Sequence, residues 1–302
     1  MTVRLKKTFV GTKGTDGFFV RLFFYLALVS IGFVFLFPVL YMLAFGFQSL
    51  EDLLNVSVHW IPSAFYGENF VTAFLVMNFL PTFLQTLYIT LVPTVLQTAI
   101  CAFIGYGFAR FDFRGKNLLL VLVLSTFIVP ATVLVIPRYL LFHNMGILGN
   151  IASYALPAGL GQGINSAIFI LIFFQTFRTI PKALEEAAQL DGAGHFKIFF
   201  SIGLPLAVGG LIVSFLFSFV WYWNETYLAA IYFRDSYTTL PLELARFIEA
   251  FNIMHAQDSA TNINEGIETA GTLLTILPLL LLYFVMQRWF IESVDRSGIA
   301  GE

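Results

Sequence analysis

The sequence predicts an all-α polytopic membrane protein with six transmembrane helices. Of its 302 residues, 58% are hydrophobic and only 11% are charged, whereas soluble domains average about 25% charged residues. The charged residues are clustered, and they leave uncharged tracts of roughly 20 residues, which is the length of helix that spans a hydrocarbon core. These tracts are continuously apolar and do not alternate with a period of two, so helices are favoured over a β-barrel.

Six tracts have the length and composition of a span. The predicted spans are Leu22–Phe47, Pro81–Ala109, Leu118–Pro137, Ile151–Phe177, Ile198–Asn224 and Thr269–Gln287. The third and fourth share one tract interrupted only by Arg138, and the break is placed at Arg138–Asn150 because turn-forming and polar residues collect there. The first span follows basic residues, as a signal peptide would. It is expected to remain in the mature protein because it is too long, lacks a small-residue cleavage site and precedes further spans.

The distribution of lysine and arginine predicts the orientation. Thirteen of these residues fall on one side of the predicted spans, and only Arg138, Arg234 and Arg246 fall on the other. Because positive residues concentrate on the cytoplasmic side of membrane proteins, the richer side is assigned to the cytoplasm. An even number of spans then places both termini in the cytoplasm. The outer connections are acidic, an asymmetry that the net charge of −2 hides.

The sequence lacks the patterns of a catalytic, nucleotide-binding or metal site. The four histidines are scattered singly, so no metal site is expected. Gly115-Lys116 is followed by Asn117 and not by serine or threonine, so the chain lacks a phosphate loop and is not expected to hydrolyse ATP. The absence of clustered nucleophiles and bases disfavours a membrane-embedded enzyme. No nucleic-acid partner is expected.

Glycines and the single cysteine are interpreted as packing positions. Gly105 and Gly107 begin a dinucleotide-type pattern, but the third glycine is missing and an apolar helix precedes them, so helix packing is favoured. Gly159–Gly163 fits a GxxxG pattern, and its role is left open between a loop and a helix contact. Cys101 is the only cysteine, which rules out a disulfide within the chain.

The connection Arg178–Ser201 is the most informative segment. Pro181 suits the first turn of a helix, acidic residues follow it, and Gly192 suits the stop, so a short helix, a turn and a second short helix are predicted. The polar residues between Lys182 and Leu190 fall on one side of the first helix. Such a helix could lie along the membrane surface as an ordinary interfacial connector.

The same connection carries a specific motif. Glu186-Ala187-Ala188, Gly192, Ile202, Leu204 and Pro205 match E-A-A-x3-G-x9-I-x-L-P at every specified position. The segment resembles the EAA signature of permease subunits of ATP-binding-cassette (ABC) importers. Seven specified positions make a chance match improbable at average residue usage.

Further segments resemble the carbohydrate-type branch of that family, in particular maltose-transporter-like permeases. They are Tyr106–Arg110, Phe113–Lys116, Val129-Pro130, Ile136-Pro137, Trp223–Glu225, Thr239–Pro241, Leu244-Ala245 and Gln287–Phe290, followed by Gly298 and Gly301. The likeness covers most of the chain from the first span onward. It departs in the tail at Ser293–Arg296 and in a long outer connection, Tyr232–Glu268.

The resemblance implies a type I ABC importer permease fold, MetI-like, in a bacterial or archaeal inner membrane. A second homologous permease would complete the pathway, an extracytoplasmic solute-binding protein would deliver a carbohydrate substrate, and a cytoplasmic ATPase dimer would carry ATP and magnesium. No cofactor is expected on this chain itself. Its organisation would be a cytoplasmic segment 1–21, a permease domain 22–290 with a coupling loop 178–205 and an outer loop 232–268, and a cytoplasmic tail 291–302.

Two groups of site residues are predicted, the first from this resemblance and the second from side-chain chemistry near the outer end of the fifth span. The ATPase-coupling residues are Glu185, Glu186, Ala187, Ala188, Gly192, Ile202, Leu204 and Pro205. The candidate substrate-path residues are Trp221, Tyr222, Asn224 and Glu225, because aromatic faces with amide and carboxylate groups suit sugar hydroxyls. An aromatic belt at the bilayer interface explains the same rings. The alternatives are a secondary transporter, or an ABC permease for a solute such as a polyol phosphate.

Overall fold

A computed structural model describes residues 11–12, 15–256 and 263–299. The regular secondary structure of the described part of the chain is helical apart from a short ladder between β1 (Gly11–Thr12) and β2 (Thr15–Asp16). The helices are α1 (Phe18–Gly46), α2 (Leu50–Leu54), α3 (Glu68–Val76), α4 (Phe79–Arg110), α5 (Lys116–Ile128), α6 (Ala131–Asn144), α7 (Ala152–Gly159), α8 (Ser166–Thr179), α9 (Lys182–Leu190), α10 (His195–Ile198), a π-helical turn (Phe199–Gly203), α11 (Leu204–Leu206), α12 (Val208–Asn224), α13 (Tyr227–Phe233), α14 (Leu240–Ala245), α15 (Phe247–Met254) and α16 (Glu265–Ile299). The predicted all-α class is confirmed.

Some features predicted from the sequence lie outside the described residues. They are Arg4, Lys6, Lys7 and Lys13 ahead of the first span, Asp258 in the outer connection, and Gly301. The remaining residues form two compact units, which are described separately. The first comprises the described parts of Met1–Ala73 and His255–Leu274, and the second comprises Phe74–Met254 and the described part of Thr275–Glu302.

In the first unit, Asn69 holds the end of α1. Its amide Nδ2 donates hydrogen bonds to the carbonyl oxygens of Gly46, at 3.0 Å, and Gln48, at 2.7 Å. The Gly46 carbonyl is one of the last acceptors that the helix leaves unpaired, and the Gln48 carbonyl lies just beyond the helix end, so one side chain satisfies both. Elsewhere α1 is exposed along almost its whole length, as expected of a helix whose apolar surface is covered by lipid or protein.

In the second unit, α4 is the central helix, and it packs against α7, α8 and α12. The contact with α8 is close at Gly105, where an added Cβ would lie 2.5 Å from Phe173 Cβ. This confirms Gly105 as a helix-packing position. Gly107 has no neighbour within 4 Å of an added Cβ, so the same prediction is wrong for it.

The long helices α1, α4 and the Glu265–Trp289 part of α16 are each apolar and long enough to cross a membrane. Three bent helix pairs bring the number of possible spans to six, in agreement with the predicted count. The boundaries of the middle spans differ from the prediction, however, because these spans contain internal breaks.

The predicted third span bends by 98° between α5 and α6. Val129 precedes Pro130 and takes an extended conformation, with ψ 119°, because the proline ring disfavours helical backbone at the preceding residue. The helix then continues through Pro137 and Arg138 to Asn144. The predicted break at Arg138–Asn150 is therefore wrong in its first half, and the chain turns only after Asn144.

The predicted fourth and fifth spans are also interrupted. The fourth consists of α7 and α8, separated at Leu160–Asn165, so Gly159 ends a helix and Gly163 lies in a loop. The fifth bends by 78° between Leu206 and Val208. The last helix, α16, begins at Glu265 and continues to Ile299, well beyond the predicted end at Gln287.

Candidate functional site

The predicted helix–turn–helix after the fourth span is confirmed as α9, a turn and α10. The N–H of Gly192 donates to the Gln189 carbonyl and that of Ala193 to the Ala188 carbonyl, both at 2.9 Å. This pair of bonds is the Schellman turn that closes many helices. Gly192 has a φ of +82°, the left-handed conformation that glycine adopts most easily, so the predicted stop is explained.

The inner side of α9 is held by a buried carboxylate. Arg110, at the end of α4, places Nε 2.8 Å from Glu185 Oε1, and the two side chains are only 5% and 9% exposed. The oxygen lies off the line of the N–H bond, so this contact is an ion pair and not a directed hydrogen bond. Tyr106, one turn earlier on α4, donates its hydroxyl to Glu185 Oε2 at 3.2 Å.

Arg110 also contacts the segment before α9. Its Nη2 donates to the carbonyl of Ile180 at 2.9 Å. Arg110, Tyr106, Glu185 and the Ile180 carbonyl form what we call the Arg110 clamp. Removing one member of a buried ion pair leaves an uncompensated charge, which typically costs about 3–5 kcal/mol.

The outer side of α9 is open. Ala183, Glu186, Ala187 and Leu190 are exposed and recur at the i, i+3, i+4, i+7 spacing of one helical face, which we call the outer face of α9. Leu190 is 90% exposed. The expectation that all the polar residues of α9 share one exposed side is wrong for Glu185, because α4 supplies it with buried partners.

The second half of the motif lies in the bend before α12. Pro205 is exposed, Ile202 and Leu204 are half-buried, and Leu204 packs on the apolar core around α4 and α8. Gly203 lies so close to Tyr106 that an added Cβ would be 3.3 Å from the ring. The ring of Tyr106 also contacts Phe177 and Phe199, with centroids 5.1 and 5.0 Å away. Tyr106 therefore contacts both α9 and the π-helical turn that follows α10.

A pocket of about 550 Å³ lies beside the clamp, between the ends of α4, α5 and α8. Its lining includes the basic residues Arg110, Lys116, Arg178 and Lys182, and also Asp112. Lys116 donates to Asp112 Oδ1 at 3.0 Å, and this ammonium holds the pKa of the exposed Asp112 carboxyl below its ordinary value. The pocket thus carries more positive than negative charge.

The four candidate substrate-path residues have different environments. Trp221 is half-buried against Phe169, with ring centroids 5.1 Å apart. Asn224 is exposed, and its amide donates to the Val220 carbonyl of its own helix at 2.9 Å. Glu225 is half-buried and accepts a hydrogen bond from the Leu228 N–H at 2.9 Å, so it helps to cap α13.

Tyr222, the fourth candidate, belongs to a buried network that the sequence did not predict. Its hydroxyl donates to Gln97 Oε1 at 2.8 Å and accepts from the Ile164 N–H at 3.3 Å. Gln97 Nε2 donates to the Ile164 carbonyl at 2.8 Å. The network fixes the broken part of the fourth span to α4 and α12. The available signal was an amide side chain in the middle of an apolar span.

Within the part of the chain that the structure describes, no group of three or more His, Cys, Asp or Glu side chains is placed to hold a metal ion. Apolar helices sufficient for up to six spans define a polytopic membrane protein. Residues 101–296 match the sequence model of the family described as the binding-protein-dependent transport system inner membrane component. The chain belongs to this family, so the predicted importer-permease identity is confirmed.

Curated relatives match almost the whole chain. The probable ABC transporter permease protein YurM of Bacillus subtilis is 29% identical over 93% of this chain and 88% of its own length. The arabinooligosaccharides transport system permease protein AraQ of Halalkalibacterium halodurans is 28% identical over 91% of this chain and 96% of its own. The lactose transport system permease protein LacG of Rhizobium radiobacter is 28% identical over 90% of this chain and 94% of its own length.

A solved structure shares the fold. A chain of a bacterial ABC transporter involved in the import of the acidic polysaccharide alginate superposes with a TM-score of 0.71 and 21% identity, covering 91% of this chain and 99% of the other. The predicted ABC importer permease fold is therefore confirmed.

Proposed function

We propose that the chain forms half of the translocation pathway of an ABC importer for sugars or oligosaccharides, and that a separate ATPase drives it through α9. A second permease completes the pathway, and a solute-binding protein presents the substrate from outside. ATP and magnesium bind to the ATPase and not to this chain. Both termini and the helix–turn–helix lie in the cytoplasm, as the distribution of lysine and arginine predicts.

The observation that carries this proposal is the outer face of α9. It presents one carboxylate, Glu186, between two alanines, with an almost fully exposed leucine at its end. The small alanine side chains would allow a partner protein to approach the helix closely. Docking would also remove the exposed leucine from water, which favours binding. The face therefore suits insertion into a groove on a partner protein. Glu186 would meet a basic group of that partner, and Leu190 an apolar pocket.

The substrate class is supported by the relatives. Among the proteins that match, one is described as a permease for arabinooligosaccharides, one for lactose and one for diacetylchitobiose. Of the four candidate path residues, Asn224 is exposed and Trp221 and Glu225 are half-buried, so these three are accessible to sugar hydroxyls, whereas Tyr222 is buried. A relative described as an osmoprotective compounds uptake permease favours a second candidate, a small polar osmolyte in place of a sugar.

The test uses the complex purified from cells with its ATPase and binding protein. Glu186→Lys should leave the subunit in the membrane but abolish both co-purification of the ATPase and ATP-dependent uptake in proteoliposomes. Arg114→Glu is the control, because it reverses an exposed charge in the preceding connection, away from the outer face of α9. Normal uptake by Glu186→Lys would remove α9 as the coupling element. Uptake of an osmolyte but of no sugar would select the second candidate.

A further inference from the structure

We propose that Arg110 is a positioning residue that stiffens the joint between the fourth span and the coupling helix α9, so that movement of α9 is transmitted to α4 and α8. This inference rests on the proposed function, because it assigns to the clamp the task of carrying a displacement that the ATPase produces. It concerns the inner side of α9, whereas docking concerns the outer face.

The joint itself is two residues long. Helix α8 ends at Thr179 and α9 begins at Lys182, with a bend of 72° between them. Ile180 and Pro181 are extended, with ψ of 127° at both, so no helical hydrogen bond continues across the joint. A helix attached only through two extended residues could pivot about them, and a push on α9 would then be lost in bending.

Arg110 bridges the joint from the side. One nitrogen of its guanidinium binds the carbonyl of Ile180, within the joint, and another pairs with Glu185, in the first turn of α9. A guanidinium is planar and rigid, so the two contacts hold the joint and the first turn of α9 at set distances from the same group. A lysine at this position would have a single nitrogen and could not make both contacts with the same geometry.

Tyr106 provides a second contact between α4 and Glu185 of α9. The two oxygens of Glu185 are held by side chains four residues apart on α4, so the carboxylate cannot rotate about one contact. α4 in turn packs closely on α8, where Gly105 lies against Phe173. Helices α4, α8 and α9 are thereby linked in a closed triangle, in which α9 is joined to α8 by the chain and to α4 by the clamp.

The chemistry of the clamp also favours a positioning role over simple stabilisation. Burying a charged pair costs desolvation energy that apolar side chains of similar volume would not incur, so a buried ion pair is weak evidence for stability. What this pair provides, together with the hydrogen bond to the Ile180 carbonyl, is a fixed position of α9 beside α4. The clamp lies where that position matters, since it braces the two-residue joint through which a push on the outer face of α9 reaches α8.

The experiment measures both the joint and its consequence, in the assembled complex with Cys101→Ala as background. Spin labels are attached at Gln175→Cys in α8 and Gln189→Cys in α9, both exposed positions. Double electron–electron resonance between the two labels measures the distance across the joint. In Arg110→Met the distance distribution should broaden, and the solute imported per ATP hydrolysed should fall by about tenfold, within the range of coupling between linked sites. Exchanging the charges, as Arg110→Glu with Glu185→Arg, should restore part of the loss.

Arg114→Met is the matched control, because Arg114 is an exposed arginine four residues beyond Arg110, in the connection after α4. If Arg110→Met does not accumulate in the membrane, Tyr106→Phe, which removes only one hydroxyl, should still lower the solute imported per ATP. An unchanged distance distribution and unchanged import per ATP in the variant that assembles would overturn the positioning role. Absence of any ATPase from the wild-type complex would instead refute the proposed function, so the two failures are distinguishable.

Discussion

Two adjacent glutamates show what the sequence could and could not predict at the scale of single residues. Glu185 and Glu186 fall on neighbouring positions of α9, and helical spacing alone places both on its polar side. Glu185 is nevertheless buried, because Tyr106 and Arg110 of α4 bring it a hydroxyl and a guanidinium. These partners are more than seventy residues away in the sequence, so local periodicity could not reveal them. The sequence showed that Tyr106 and Arg110 are one helical turn apart, but it did not show that both contact Glu185.

The glycine at the turn after α9 allows a matched test of backbone conformation. Gly192 has a φ of +82°, whereas Gly194 has a φ of −73°, and an added Cβ at either position meets no atom within 4 Å. Gly192→Ala should therefore cost about 1–2 kcal/mol through left-handed backbone strain alone. Uptake rate and thermal unfolding of the complex are the measurements, with Gly194→Ala as the control. Equal effects of the two substitutions would show that backbone strain does not explain Gly192.

At the scale of helices, the sequence predicted where a span is present more easily than whether the helix of that span is unbroken. The apolar tracts identified the long helices α1 and α4 with ends displaced by at most four residues. The bends at Val129-Pro130 and at Leu160–Asn165 were missed, because an uncharged tract remains apolar whether or not the helix is continuous. Proline was present at the first break and glycine at the second. Proline also occurs inside α4 at Pro93, so the residue type alone does not decide.

The hydroxyl of Tyr222 should matter for the stability of the broken fourth span. Tyr222→Phe leaves Gln97 Oε1 and the Ile164 N–H without this buried partner, while Gln97 Nε2 keeps its bond to the Ile164 carbonyl. Such a loss typically costs about 1–3 kcal/mol. Thermal unfolding in detergent should therefore shift downward. Tyr227→Phe is the control, since Tyr227 lies in the next helix and is 57% exposed. A change confined to the KM for solute, with unchanged unfolding, would instead support Tyr222 as a substrate contact.

For the molecule as a whole, composition predicted the environment and a short motif predicted the family. Low charge and long apolar tracts require a bilayer, and the segment from Glu186 to Pro205 lies within the 101–296 region that the family matches. The Arg110 clamp was not predictable, because it depends on how α4 and α9 pack. The motif was therefore visible because its residues are close together in the sequence, whereas the contacts that hold α9 depend on tertiary packing.

The orientation of the whole chain gives a last prediction, which follows from the thirteen basic residues on one predicted side. Because positive residues are retained in the cytoplasm during insertion, α9 should lie inside and α15 outside. Cys101 is buried, so Cys101→Ala provides a background in which single cysteines can be labelled. Asn252→Cys, exposed on α15, should react with a membrane-impermeant maleimide in intact spheroplasts. Gln189→Cys, exposed on α9, should react only after permeabilisation. The reverse pattern would invert the topology and place α9 beyond the reach of a cytoplasmic ATPase, whatever its motif.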